Sequence, residues 1–172
     1  MNPTPSPARY FEDFAVGDRY RHARGTTVGE AENQLLTKLV MNTAQAHFNE
    51  HAMARGPYGR RIVFGLITGS IIIGLATQDT AEHAVAELAL DKLRFTAPVF
   101  HGDTLYAYTE VLAKGDADRD DAGIVRFRHT GVKPAGLTPG ASGAAAPDDD
   151  AMTVVFECER TVLIRRLERR TT

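Results

Sequence analysis

Asn42, His47, Glu50 and His51 fall within NTAQAHFNEHAM, residues 42–53, where amide and proton-exchanging side chains crowd ahead of a long apolar run. Three chemistries suit these residue types. His47, Glu50 and His51 spell H-x-x-E-H, which sets two imidazoles on one helical face with a carboxylate beside them, as an inverted zinc-hydrolase motif does. A single histidine beside an amide is instead a proton-transfer site, because imidazole titrates near neutrality while the amide orients a reactant. The third reading is an ordinary solvated helical turn.

A catalytic zinc needs a third protein ligand, and the acids available on the next good helix, Asp79 and Glu82, lie at its far end. Gly56-Pro57 also leaves little helix to hold the first two ligands. No metal is expected. For acid/base work, Asn42 and His47 are five apart, which in an unbroken helix sets them about 140° apart around the axis. They can face one ligand only if the first helix ends at Asn42 and the chain re-enters at a new angle; Asn42-Thr43, both good capping types, suits that break.

Eighteen residues after His47 comes Gly65, where IVFG meets the start of the apolar run. Free backbone N–H groups at a helix N-terminus, with the positive end of its dipole, are donors for a developing oxyanion. A histidine and an oxyanion hole are the minimum equipment for enolate chemistry on a thioester. Phe64, next to Gly65, is expected in the same substrate site, and the guanidinium forks of Arg55, Arg60 and Arg61 suit a distal carboxylate or phosphates. Glu50, Asp79 and Glu82 are reserve acids, His51 reads as an outer-face residue, and Ser70 as a small residue permitting close helix–sheet contact.

A chain of 172 residues fits one domain with a real core. Its 20 Lys+Arg nearly balance 22 Asp+Glu, which leaves no broad footprint for nucleic acid or an anionic membrane. One cysteine, Cys158, excludes an intramolecular disulfide and a cysteine zinc site, and its alternating apolar surroundings mark a small core residue. A reducing, cytoplasmic setting is the expectation. Residues 1–14, with three prolines and no basic-then-apolar pattern, read as a loose lead-in. The run from Ile62 to Ala76 carries three glycines and falls short of the ~20 apolar residues of a membrane span.

The elements that must position these residues follow from periodicity. A first strand is expected over 18–28 and a helix over 29–42, where Leu35, Leu36, Leu39 and Val40 recur at helical spacing. A helix apolar on most sides, hence enclosed, is expected over 66–83, because its pattern outlasts a strand. Strands follow over 85–95, 104–114, 123–132 and 152–164, the last four forming a largely meandering sheet. Residues 133–150, rich in Pro, Gly and Ala, read as a flexible hairpin loop, and 166–172 as a basic solvated tail. The fold class is α+β, a curved antiparallel sheet around the apolar helix.

N-T-x-x-x-H-F, then PYGRRIVFG, a long apolar helix and LRFTAPVFHGDTL resemble the MaoC-like dehydratases, (R)-specific enoyl-CoA hydratases of hotdog fold. F-x-x-P-V-x-x-G-D, spanning Phe95 to Asp103, is the most specific part. The resemblance implies a single hotdog domain over 15–165, a homodimer, an acyl-CoA thioester substrate and no cofactor beyond coenzyme A within that substrate. It also implies catalytic roles for His47, for Gly65 as oxyanion donor, and for the position held by Asn42, where the family's D-x-N-P-x-H motif has an aspartate. The form N-T-x-x-x-H-F is similar to the mesaconyl-CoA hydratase branch, whose substrates are short branched dicarboxylic thioesters. A hotdog thioesterase, or a non-catalytic acyl-CoA-binding subunit lacking the acid, are the alternatives left open.

Overall fold

A computed structural model describes residues 8–135 and 151–167. Its elements are β1 (Arg19–Thr27), α1 (Glu30–Leu39), a 3-10 turn at Gln45–His47, α2 (Glu50–Met53), α3 (Gly65–Thr80), β2 (Ala84–Phe95), β3 (Thr104–Ala117), β4 (Arg119–Pro134) and β5 (Met152–Arg165). Five strands form one antiparallel sheet in the order β1-β3-β4-β5-β2, with α3 laid across one face. This is a single α+β hotdog domain.

The strands β3, β4 and β5 meander, but β2 does not join them in sequence. It lies beyond β5 and pairs Phe95 with Phe156, so the expectation of four consecutive meandering strands is corrected. Local alternation marks a strand without fixing its neighbour, and here α3 carries the chain across the sheet before β2 begins. One side of β2 is left as a sheet edge, with Leu88, Leu90 and Phe95 exposed.

Alternation on β3 and β5 turns Leu105, Ala107, Phe156 and Cys158 toward α3, which buries Ile67 and Ile72 against them, while Val111, Val162 and Ile164 farther along the same strands join a second cluster. Gly69 permits that approach, since a Cβ there would lie 2.8 Å from the Phe156 ring. Ser70 does not mediate it: Ser70 is exposed and donates to the Leu66 carbonyl at 2.8 Å. Leu66, Ser70 and Gly74 form an open stripe, so α3 is enclosed on its sheet side only.

α1 is turned against its own apolar period. Leu35, Leu39 and Val40 face outward, Leu39 being 67% exposed, while Asn33 and Thr37 are buried. Its end is a Schellman turn: Met41 takes φ +57°, its N–H bonds to the Lys38 carbonyl, and the Asn42 N–H reaches Thr37 at 3.0 Å. The break expected at Asn42-Thr43 thus falls one residue earlier.

The described residues of the terminal segments pack onto the domain. Phe11 and Phe14 are buried in a cluster with Val125, Phe127 and Ile164, so the described part of the lead-in joins the core. Lys133 and Pro134 extend β4, and Arg166 pairs with Glu12 and Asp116 rather than standing free. The rest of the expected loop, 136–150, and of the basic tail, 168–172, lies outside the described residues. Among the described residues, no helix is long and apolar enough to cross a membrane.

A polar chain also crosses the interior. Asp79 Oδ2 lies 2.6 Å from His22 Nδ1, His22 Nε2 lies 2.7 Å from Thr109 Oγ1, and that hydroxyl lies 2.7 Å from His129 Nδ1. Burial lowers the His22 pKa despite Asp79, and pushes His129 down to about 3.

Candidate active site

The Schellman turn at Met41 ends α1 and redirects the chain, so the 3-10 turn that follows carries His47 inward to 8% exposure. His47 Nδ1 lies 3.1 Å from the Ile62 carbonyl oxygen. A carbonyl only accepts, so Nδ1 carries a proton and Nε2 is the nitrogen left to act as acceptor, with no hydrogen-bond partner among the described residues. The Ile62 N–H returns a bond to the Ala46 carbonyl at 3.0 Å, tying the His47 turn to the strand-like segment before α3.

That segment enters α3 through Phe64, whose extended backbone caps the helix. The Phe64 N–H is taken by Asn33 Oδ1 at 3.0 Å, and the Ile67 and Thr68 N–H groups fold back to the Phe64 carbonyl. Between them the N–H groups of Gly65 and Leu66 have no backbone acceptor among the described residues. Gly65 sits under the Phe95 ring, where a Cβ would lie 3.0 Å from two ring carbons.

His47, Phe64 and Gly65 line one cleft of about 400 Å³, with Tyr58, Thr68, Phe95, Pro98 and Val99 among its other walls. The His47 and Phe64 rings lie 5.2 Å apart. The P-V-x-x-G-D turn builds the far wall: Gly102 takes φ +91°, and Asp103 accepts from the Phe100 N–H at 2.9 Å and from Lys133 at 2.6 Å. Its Val99 carbonyl accepts the Val63 N–H at 2.8 Å, which locks the two walls together. The arrangement offers a general base and a helix-start N–H donor to one small, mostly apolar space, which suits proton transfer next to a polarised carbonyl.

Other expected site residues are placed differently. Asn42 Oδ1 accepts the Ala44 N–H at 2.9 Å in an Asx turn, and Asn42 does not line the cleft. Its amide nitrogen has no protein partner among the described residues. Arg61, expected to meet substrate, is 8% exposed and does not line the cleft; it pairs with Glu30 at 2.5 Å and with Glu50. These hydrogen bonds hold Glu30 below the usual carboxylate range and raise Arg61. Arg60 lies over the Phe100 ring at 3.8 Å, and Arg55 is exposed.

Glu50 is thus spent on Arg61, His51 is exposed, and neither converges with His47. Asp79 is held by His22 near the opposite end of α3, about 21 Å along the axis from Gly65. Glu82 is exposed. Sequence reasoning missed Asn33 and the clamping role of Arg61. The available signal was the pair Asn33 and Thr37, polar and four apart in a helix otherwise marked by leucines.

Comparison with known proteins places this geometry in a family. The sequence model of mesaconyl-CoA hydratase matches residues 6–146. The chain is 40% identical over 124 residues to a beta-methylmalyl-CoA dehydratase of Chloroflexus aurantiacus, covering 72% of this chain and 35% of that one. It is 36% identical over 121 residues to a mesaconyl-CoA hydratase of Cereibacter sphaeroides, covering 70% and 34%. The chain therefore spans about a third of the length of these curated relatives. A crystal structure of a MaoC domain protein dehydratase from Chloroflexus aurantiacus superposes with TM-score 0.78 at 34% identity, over 93% of this chain and 45% of that one. A MaoC-like dehydratase from Rhodospirillum rubrum, 22% identical, shares the fold with TM-score 0.72 over 94% and 99%. The chain belongs to the mesaconyl-CoA hydratase family, within the MaoC-like dehydratases of hotdog fold.

Proposed function

We propose that this chain is a hydro-lyase unit that adds water to, or removes it from, a short branched enoyl-CoA of the mesaconyl-CoA kind. The observation that carries the reading is the fixed tautomer of His47: its Nδ1 proton is committed to the Ile62 carbonyl, and its Nε2 lone pair is free beside a cleft that Gly65 also lines. The names of the relatives support the substrate class.

In the hydration direction, His47 Nε2 takes a proton from water as the oxygen bonds to Cβ. The π electrons move to Cα and the carbonyl, and the enolate oxygen accepts from the Gly65 N–H. The imidazolium then returns its proton to Cα, so one water is added and the thioester bond stays intact. Losing an oxyanion donor of this kind costs about 3 kcal/mol in the barrier. Asn42 lies outside the cleft and takes no part in the proton transfer, and Arg60 or Arg55 would take a distal carboxylate or the CoA phosphates. No metal or redox cofactor enters this sequence.

The open β2 edge with its exposed Leu88 and Leu90 supports pairing with a second hotdog unit, which in this reading is a second copy. One observation favours a second reading, an acyl-CoA-binding subunit without turnover: the Asn42 oxygen is turned to its own backbone and the residue does not line the cleft. The test is loss of enoyl-thioester absorbance with crotonyl-CoA and with mesaconyl-CoA, run beside His47→Ala and a free-thiol assay. Hydration abolished in the variant supports the lyase. Thiol release identifies a thioesterase, and binding without either change identifies the subunit.

A further inference from the structure

α1 buries an amide where its sequence period would bury leucines, and that amide touches both halves of the cleft. We infer that Asn33 is a positioning residue that fixes the His47 base relative to the Gly65 oxyanion turn; the inference rests on the hydro-lyase reading above.

Asn33 is 0% exposed. Its Nδ2 donates to the His47 backbone carbonyl at 3.1 Å and to His101 Nε2 at 3.1 Å, and its Oδ1 accepts the Phe64 N–H at 3.0 Å. The Thr37 hydroxyl approaches the same oxygen at 3.5 Å. The partners dictate the orientation of the amide, because the His47 carbonyl can only accept and the Phe64 N–H can only donate. Both amide hydrogens are used, and one planar group joins α1, the His47 turn, the Phe64 cap and the turn before β3.

Two consequences reach the cleft. Asn33 fixes the backbone of the residue that supplies the base. It also occupies the Phe64 N–H, the donor immediately before Gly65, so the first N–H left for a ligand at this helix start is that of Gly65, a residue that lines the cleft. Arg61 braces the same parts from outside, linking Glu30 of α1 to Glu50 of α2 from a position four residues before Gly65. Asn33 itself does not line the cleft, so it acts through its neighbours.

The test measures kcat and KM separately for the wild type, Asn33→Ser and Asn33→Asp, on whichever of crotonyl-CoA and mesaconyl-CoA the wild type turns over. Asn33→Asp keeps an acceptor for Phe64 but opposes an oxygen to the His47 carbonyl. The expected result is a kcat reduced about 100-fold with KM within about threefold, since a misplacement near 1 Å costs that much in rate. Leu35→Ala, on the outer face of the same helix, should leave kcat unchanged. Folded Asn33 variants that retain kcat within about threefold would overturn the inference.

A second measurement holds if both variants fail to fold. In the isotope-labelled wild type, the Phe64 amide should show a through-hydrogen-bond coupling to Asn33 Cγ and slow exchange with solvent. A Phe64 amide that exchanges freely and lacks the coupling overturns the inference as well. A wild type inert toward both thioesters would instead sink the hydro-lyase reading, while the coupling still reports whether the amide ties the two turns.

Discussion

Two sets of buried histidines divide this domain, and they do opposite things with their second ring nitrogen. At the cleft, one nitrogen of His47 is anchored on a carbonyl and the other is bare beside an open space. In the core, His22 is held on both sides by Asp79 and Thr109, and His129 is 0% exposed with its Nε2 sealed in protein. Asp79, His22 and Thr109 even follow the spacing of an acid-base-nucleophile triad. Yet the Thr109 hydroxyl is buried and shared between two imidazoles, so no substrate can reach it. A buried histidine is therefore not itself a sign of catalysis; what sets His47 apart is that it lines a cavity.

The contrast breaks most sharply by mutation at the cleft. His47→Ala should lower kcat by about 10²- to 10⁴-fold, the usual worth of a general base, while the thermal melt stays close to wild type. Thr109→Val should do the reverse. It leaves two buried ring nitrogens without partners and should cost about 1–3 kcal/mol in urea unfolding, with kcat unchanged in the folded protein.

Acid sharpens the same division. His129 has its folded pKa near 3 while the unfolded chain titrates near 6.5. The unfolded state thus binds the proton first as pH falls, so this stabilisation is present above about pH 6.5 and is lost on the way down toward 3. Between pH 8 and pH 5 the loss from this one group is about 2 kcal/mol. From pH 8 to pH 5 the unfolding free energy of the wild type, from urea titration at each pH, should fall by about 2 kcal/mol more than that of His129→Gln; equal falls would assign the loss to another group. The smallest effect expected is at the hinge before His47. Met41→Gly relieves a left-handed backbone that costs an L side chain about 1–2 kcal/mol, offset in part by glycine's unfolded entropy. A rise in stability of up to about 1 kcal/mol with kcat unchanged would show that the turn only redirects the chain.

Much of this fold was legible because its signals are local. The strands show alternation or β-branched and aromatic runs, α3 announces itself by length, and F-x-x-P-V-x-x-G-D marks a turn whose glycine needs positive φ. The same local rules place His47 and Gly65 eighteen residues apart on two turns that the structure brings to one cleft. What escaped is set by tertiary contact. The position of β2 beyond β5 depends on where α3 delivers the chain, not on the strand's own residues. α1 reads as amphipathic with a leucine face, but its polar side is the one that faces the protein, because Asn33 has three backbone and side-chain partners waiting there. Arg61 reads as a ligand clamp from its type alone; only the fold reveals Glu30 and Glu50 on either side of it.

The most direct measurement of the central claim is the reaction of mesaconyl-CoA in D2O, followed by NMR for deuterium at Cα and by a thiol reagent, for the wild type and His47→Ala. The expected result is a hydroxyacyl-CoA carrying one deuterium at Cα, no released thiol, and product from the variant at a rate at least about 100-fold lower. Free thiol from the wild type, or deuterated product from His47→Ala at the wild-type rate, would contradict His47 as the base of a hydro-lyase.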